Sequence, residues 1–182
     1  MLTIRLPERE YFDDEKEMFF YLKPVTLKLE HSLLSISKWE SIYHKRFLDK
    51  GKKTRSETID YIRCMTINHD VPDEVYQTLP DQAILDVNDY IADSMTATTF
   101  SDNSRRPGRR SNEAVSSELV YYWMTVHNIP FECERWHFNR LMTLINICNI
   151  KNQPPKKMSK SAIGKQHMSL NAARRKAMHS SG

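Results

Sequence analysis

The sequence predicts an α+β fold, predominantly α. A small antiparallel β unit over residues 1–30 would pack on a bundle of about five helices, followed by a basic C-terminal helix or tail. Three observations lead there. Apolar residues make up 40% of the chain and aromatics 10%, enough for a real core. Glycine is scarce at 4, and the glycines and prolines fall between periodic segments, which favours helices with defined turns over an all-β fold. Charge divides sharply: of 27 Lys and Arg and 23 Asp and Glu, ten of the cations and none of the acids lie from Arg135 onward. That leaves 17 cations against 23 acids before Arg135, so a net +4 separates into −6 and +10.

Leu2 to Leu6 alternates as a strand does. Asp13 and Asp14 suit a turn, and Met18 to Leu22 and Val25 to Leu29 read as strands flanking Pro24 at an edge or bend. Thr26 and Lys28 face away from Val25, Leu27 and Leu29. A helical period begins near Ser32 and carries Ile36, Trp39, Ile42 or Tyr43, and Phe47, with Gly51 placed to end it. Thr54 to Glu57 forms a capping box before Ile59, Ile62 and Met65. Pro80 opens a helix bearing Ile84, Val87 and Ile91. Met95 to Phe100 has the composition of an added strand.

The segment from Ser101 to Ser111 is an exposed loop in which Arg105, Arg106, Arg109 and Arg110 surround Pro107 and Gly108. A helix over 112–127 places Val115, Leu119, Tyr122 or Trp123, and Val126 on one face. Trp136 to Ile150 is the most apolar helix, and Pro154 and Pro155 stop it. A last helix runs from Ser159 towards Met178 with few apolar residues, so it packs weakly. The division is one domain over 1–153 and a basic segment over 154–182. Trp39, Ile62, Leu119, Trp123, Leu141, Leu144 and Ile145 are the expected core.

Several chemistries find little support. The nucleophile-elbow and phosphate-loop patterns are missing. Cys133 with His137, and Cys64 with His69, lack the tight pairing of structural zinc sites, so buried thiols and ordinary histidines are expected, with no metal or cofactor. Asp13, Asp14, Glu15 and Glu17 read as a solvated turn. No run is long and apolar enough to span a membrane, and the start shows no secretory leader. Three cysteines in such a chain suit a reducing compartment. The candidate partner-binding residues are the cations Lys156, Lys157, Lys160, Arg174, Arg175 and Lys176, with Arg105, Arg106, Arg109 and Arg110 as a second set.

Three stretches carry a resemblance. The first is LEHSLLSISKWESIYHKRFL from Leu29 to Leu48, with DYIRCMT from Asp60 to Thr66. The second is MTATTFSD from Met95 to Asp102, with SSELVYYWM from Ser116 to Met124. The third runs from Ile129 to Ile163 and ends in LNAARRKAM, Leu170 to Met178. In these stretches the chain resembles the tail assembly chaperones of long-tailed bacteriophages and prophages. The resemblance implies a protein that is not an enzyme. It implies binding to the tape-measure protein, recruitment of the major tail (tube) protein, action in the cytoplasm of the infected host and absence from the mature virion. It further implies that this is the short form of a family that also makes frameshift-extended forms. Self-association is left open and no membrane role is expected. A competing reading takes the cationic tail as a nucleic-acid binder. The net acidic part before Arg135 counts against that.

Overall fold

In a computed structural model of the chain, residues 1–13, 17–49, 51–100, 115–152 and 160–178 are described. The fold is α+β and predominantly α, in two compact units, Met1–Cys148 and Asn149–Gly182.

The first unit opens with four strands: β1 (Leu2–Leu6), β2 (Arg9–Asp13), β3 (Met18–Leu22) and β4 (Val25–Leu29). β1 pairs antiparallel with β4 from Leu2↔Leu29 to Leu6↔Val25, and β2 with β3 from Arg9↔Leu22 to Asp13↔Met18. Both ladders keep one register, so together they form a single long hairpin with one break. Extending that register sets Pro7 opposite Pro24 at the break. The base of the hairpin buries Ile4, Leu6, Leu27 and Leu29, while Thr3, Arg5, Thr26 and Lys28 face solvent. Residues 66–68 extend this base: Ile67 N donates to Lys28 O at 2.8 Å, and the Asn68 side chain bonds the backbone of Thr26 and Lys28.

The expected turn at Asp13 and Asp14 is described only in part. Asp13 is the last residue of β2, paired with Met18, and Asp14 lies outside the described residues.

Helix α1 (Leu33–Tyr43) begins where Ser32 Oγ accepts from Ser35 N. It ends at His44, which takes the left-handed conformation with φ 52° and donates its N–H to Glu40 O. Gly51 therefore does not cap it. Phe47 is still buried, but from the loop, where it stacks with Tyr61 at 4.0 Å between ring centroids. Helix α2 (Arg55–Met65) shows the full capping box: Glu57 N donates to Thr54 Oγ1 at 3.2 Å, and Thr54 N to Glu57 Oε2 at 2.8 Å. Thr54→Ala should lower stability by about 1 kcal/mol, read from the urea midpoint.

A short helix α3 (Asp73–Gln77), which no periodicity announces, buries Val75 and Tyr76. Helix α4 (Asp81–Ala92) follows, with Pro80 as its cap residue and Ala83, Val87 and Tyr90 buried. Met95 to Phe100 forms no strand. Met95 turns with φ 49° and its N–H bonds the Asp93 carboxylate.

Helix α5 (Ser117–Val126) starts later than its apolar pattern suggests, and its buried face is Ser117, Val120 and Met124. Leu119 and Trp123 are half-buried, while Tyr122 and Val126 are exposed. The inward face is thus turned by about one residue from the expected one. A carboxylate from another helix helps fix it: Glu40 Oε2 accepts from Ser117 N and Oε1 from Phe47 N, both at 2.8 Å. That buried acid stands at the N-terminus of α5, where unpaired N–H groups favour negative charge.

A 3-10 turn (Phe131–Arg135) leads to α6 (Phe138–Lys151), which buries Phe138, Leu141 and Ile145 and half-buries Leu144 and Cys148. Trp136 precedes this helix, and the Arg140 guanidinium covers its ring at 4.3 Å. Of the expected core, Trp39, Ile62, Leu141 and Ile145 are fully buried. In the second unit, α7 (Lys160–Ala177) is a helix of 18 residues. Pro154, Pro155 and Ser159 lie outside the described residues.

Candidate partner-binding surface

Two surfaces present what a protein partner could use. The first is the tip of the hairpin. Phe12 and Phe19 oppose each other across β2 and β3, their rings 4.9 Å apart. With Tyr21 they stand 41%, 72% and 60% exposed. By strand alternation they continue the register side that buries Ile4, Leu6 and Leu27 at the base. At the base that side is covered; at the tip it meets solvent. The opposite side of the tip holds Arg9, Tyr11 and Phe20, all half-buried, and the buried Leu22. The Tyr21 hydroxyl donates to the Glu8 carboxylate, which pushes the phenol's ionisation up and fixes its ring. Three aromatic rings held outward on paired backbone form a platform for an apolar segment.

The second surface is α7. Its described side chains are exposed throughout. Ile163, Leu170, Ala173 and Ala177 recur at steps of seven, three and four, giving a narrow apolar stripe. Arg174 borders the stripe, and Lys165, Arg175 and Lys176 occupy the rest of the circumference. Arg174, Arg175 and Lys176 close the helix, where cations favour the negative end of the dipole.

The expected cationic set is only partly placed. Arg174, Arg175 and Lys176 share the last turn of α7, and Lys160 begins the helix. Lys156, Lys157, Arg105, Arg106, Arg109 and Arg110 lie outside the described residues, as do the side chain of Lys160 and the acids Asp14 and Glu15. The aromatic tip was not anticipated. Its only trace is the run MFFYL from Met18 to Leu22, too apolar for a strand with one wet face.

Two of the clefts are lined by polar and charged groups. One, of 530 Å³, is lined by Glu30, Lys38, Cys64, Asn68, His69 and Arg135; the Tyr90 hydroxyl and the N-terminal amine engage Glu30 there, and burial pushes the Cys64 thiol's ionisation up. Another is lined by Trp39, Lys45, Lys53 and Glu57. There Lys45 Nζ pairs with Glu57 at 2.7 Å, and Lys53 Nζ sits 4.1 Å from the Phe47 ring, its ionisation lowered by burial. Cys133 and His137 do not act together. Cys133 is a buried thiol in the 3-10 turn, and His137 Nε2 bonds Tyr90 O at 3.0 Å. Among the described residues no three of His, Cys, Asp and Glu are grouped to hold a metal ion. No helix among them is long and apolar enough to cross a membrane.

Compared with family models, curated proteins and solved structures, the chain matches none.

Proposed function

We propose that this chain is a non-catalytic tail assembly chaperone of a long-tailed bacteriophage. It would bind the tape-measure protein and help recruit tail-tube subunits in the cytoplasm of the infected cell, leaving before the virion is complete. The observation that carries this reading is the outward aromatic tip of the hairpin, Phe12, Phe19 and Tyr21. A chaperone for a long helical client needs exposed apolar surface on a folded support, so that it shields the client without collapsing onto itself. The basic helix α7 adds attraction for acidic stretches of such a client and makes that part of the binding salt-sensitive. The resemblance over Leu29–Leu48, Ser116–Met124 and Ile129–Ile163 supports the same reading.

Co-expression with the tape-measure protein of the same genome is the test. That protein should become soluble and co-purify with this chain. Phe19→Ser with Tyr21→Ser should cut the recovered client by about tenfold, since aromatic anchors at an interface carry upwards of about 1 kcal/mol each. A tape-measure protein equally insoluble with and without the chain overturns the reading. The exposed cations of α7 also fit nucleic acid. Titration against duplex and single strands at about 0.15 M salt decides between the two, with no binding expected.

A further inference from the structure

The basic segment has an opposite within the same chain. From Asp70 to Ser104 there are eight acids and no Lys or Arg. Part of this block forms the outward face of α4. Leu85 is 55% exposed there, and Asp86, Asp89, Ala92 and Asp93 surround it at steps of one, four, seven and eight. The neighbouring acids Asp73 and Asp81 are engaged by Arg63 and Arg55. On Asp86 the described hydrogen bond comes from the neutral Gln82 amide, and on Asp93 from the Met95 backbone, and among the described residues neither acid is in an ion pair. Among the described residues, Asp89 is in no ion pair, and neither are Lys165, Arg174, Arg175 and Lys176 of α7.

We propose that α7 of one copy docks on the outward face of α4 of a second copy, so that the chain self-associates through complementary helices. The apolar stripe of α7, Leu170 and Ala177, meets Leu85 and Ala92, and Arg174, which borders the stripe, then lies within a turn of Asp86 and Asp89. Each surface alone is an exposed apolar rib on a helix whose charges are of one sign there. Set together, each supplies the counter-charge the other lacks, and like-charge contacts of α7 with α7 or α4 with α4 are disfavoured. The contact is heterologous, because different surfaces of the two copies meet. It does not depend on what client the protein serves, and its test uses the purified chain alone.

Sedimentation equilibrium of the full chain at about 0.05 M salt should give at least twice the monomer mass, falling to the monomer at about 0.5 M. Arg174→Glu, Arg175→Glu and Lys176→Glu together should leave a monomer at low salt, and so should Asp86→Lys with Asp89→Lys. All five positions are exposed, and circular dichroism confirms that each variant is folded. If the α4 pair fails to fold, Leu85→Lys replaces it. An equimolar mixture of the α7 and α4 variants should associate again, because each then offers the surface the other needs. A monomeric parent chain at low salt, an α4 variant that still associates, or a mixture that stays monomeric overturns the proposal.

Discussion

Replacing Trp39 by Ala should cost the fold about 3–5 kcal/mol, the range for removing a large buried aromatic. Trp39 is 2% exposed and holds several elements together. Its ring stacks on Tyr43 of its own helix at 4.7 Å and meets Phe47 of the following loop edge-on at 5.3 Å. Its Nε1–H donates to Glu57 O in α2 at 2.9 Å. Lys53 lies over the same cluster, 5.6 Å from the indole. Truncation would leave a cavity between α1 and α2 and remove the indole's bond to the Glu57 carbonyl. For a chain of this length the melting temperature should fall by roughly 10 °C. Trp39→Phe, which keeps most of the ring but not the N–H, should lose about half as much. Loss of less than about 1 kcal/mol in the Ala variant would show that the indole is not a core element.

Acidification should destabilise the protein through His31, with the loss beginning below neutrality. His31 is 2% exposed, its Nδ1 lies 2.5 Å from the Tyr61 hydroxyl, and its ring meets His137 edge-on at 5.1 Å. Burial, with a smaller contribution from His137, lowers its pKa from 6.5 to about 3. Tyr61 is pushed the other way by burial, so its phenol stays protonated and can donate to the neutral imidazole. In the unfolded chain His31 takes up its proton near pH 6.5. In the folded chain it does so only near pH 3. Between those values the unfolded state binds the extra proton, so stability falls as pH falls through that window. The contribution is complete above the unfolded pKa and amounts to roughly 4–5 kcal/mol across the whole window. Urea midpoints near neutral pH and at about pH 4.5 should differ by about 3 kcal/mol more in the parent than in His31→Gln, which cannot charge. Equal acid sensitivity in the two proteins would remove His31 from the account.

The legible parts of the fold were those governed by local rules. Thr54 and Glu57 satisfy each other within four residues, so the start of α2 follows from side-chain chemistry alone. The end of α1 did not follow. His44 accepts a left-handed backbone while Gly51, the favoured residue for that role, sits in the loop beyond. The identity of β2 was hidden because REYFD mixes charge with aromatics and one side of it lies open to water. Its pairing with β3 is a non-local fact. The face of α5 turned because Ser117, small and polar, could be buried once Glu40 accepted its N–H. A carboxylate from 77 residues upstream leaves no trace in local periodicity. The aromatic tip follows the same logic: a strand pattern shows which rings share a side, but whether a helix covers that side is decided elsewhere in the chain.

The opposed prolines have a kinetic meaning. Pro7 and Pro24 interrupt the ladder, so the backbone bonds of β2 and β3 are not continuous with those of β1 and β4. A two-stranded ribbon has marginal stability by itself. In deuterium oxide the amides of Tyr11 to Asp13 and Phe19 to Tyr21 should therefore exchange through a local opening, well below the free energy of complete unfolding. Those of Ile4 and Leu27 should exchange only when the whole unit unfolds. The ribbon's end can melt and re-form against a guest while its root keeps the molecule intact.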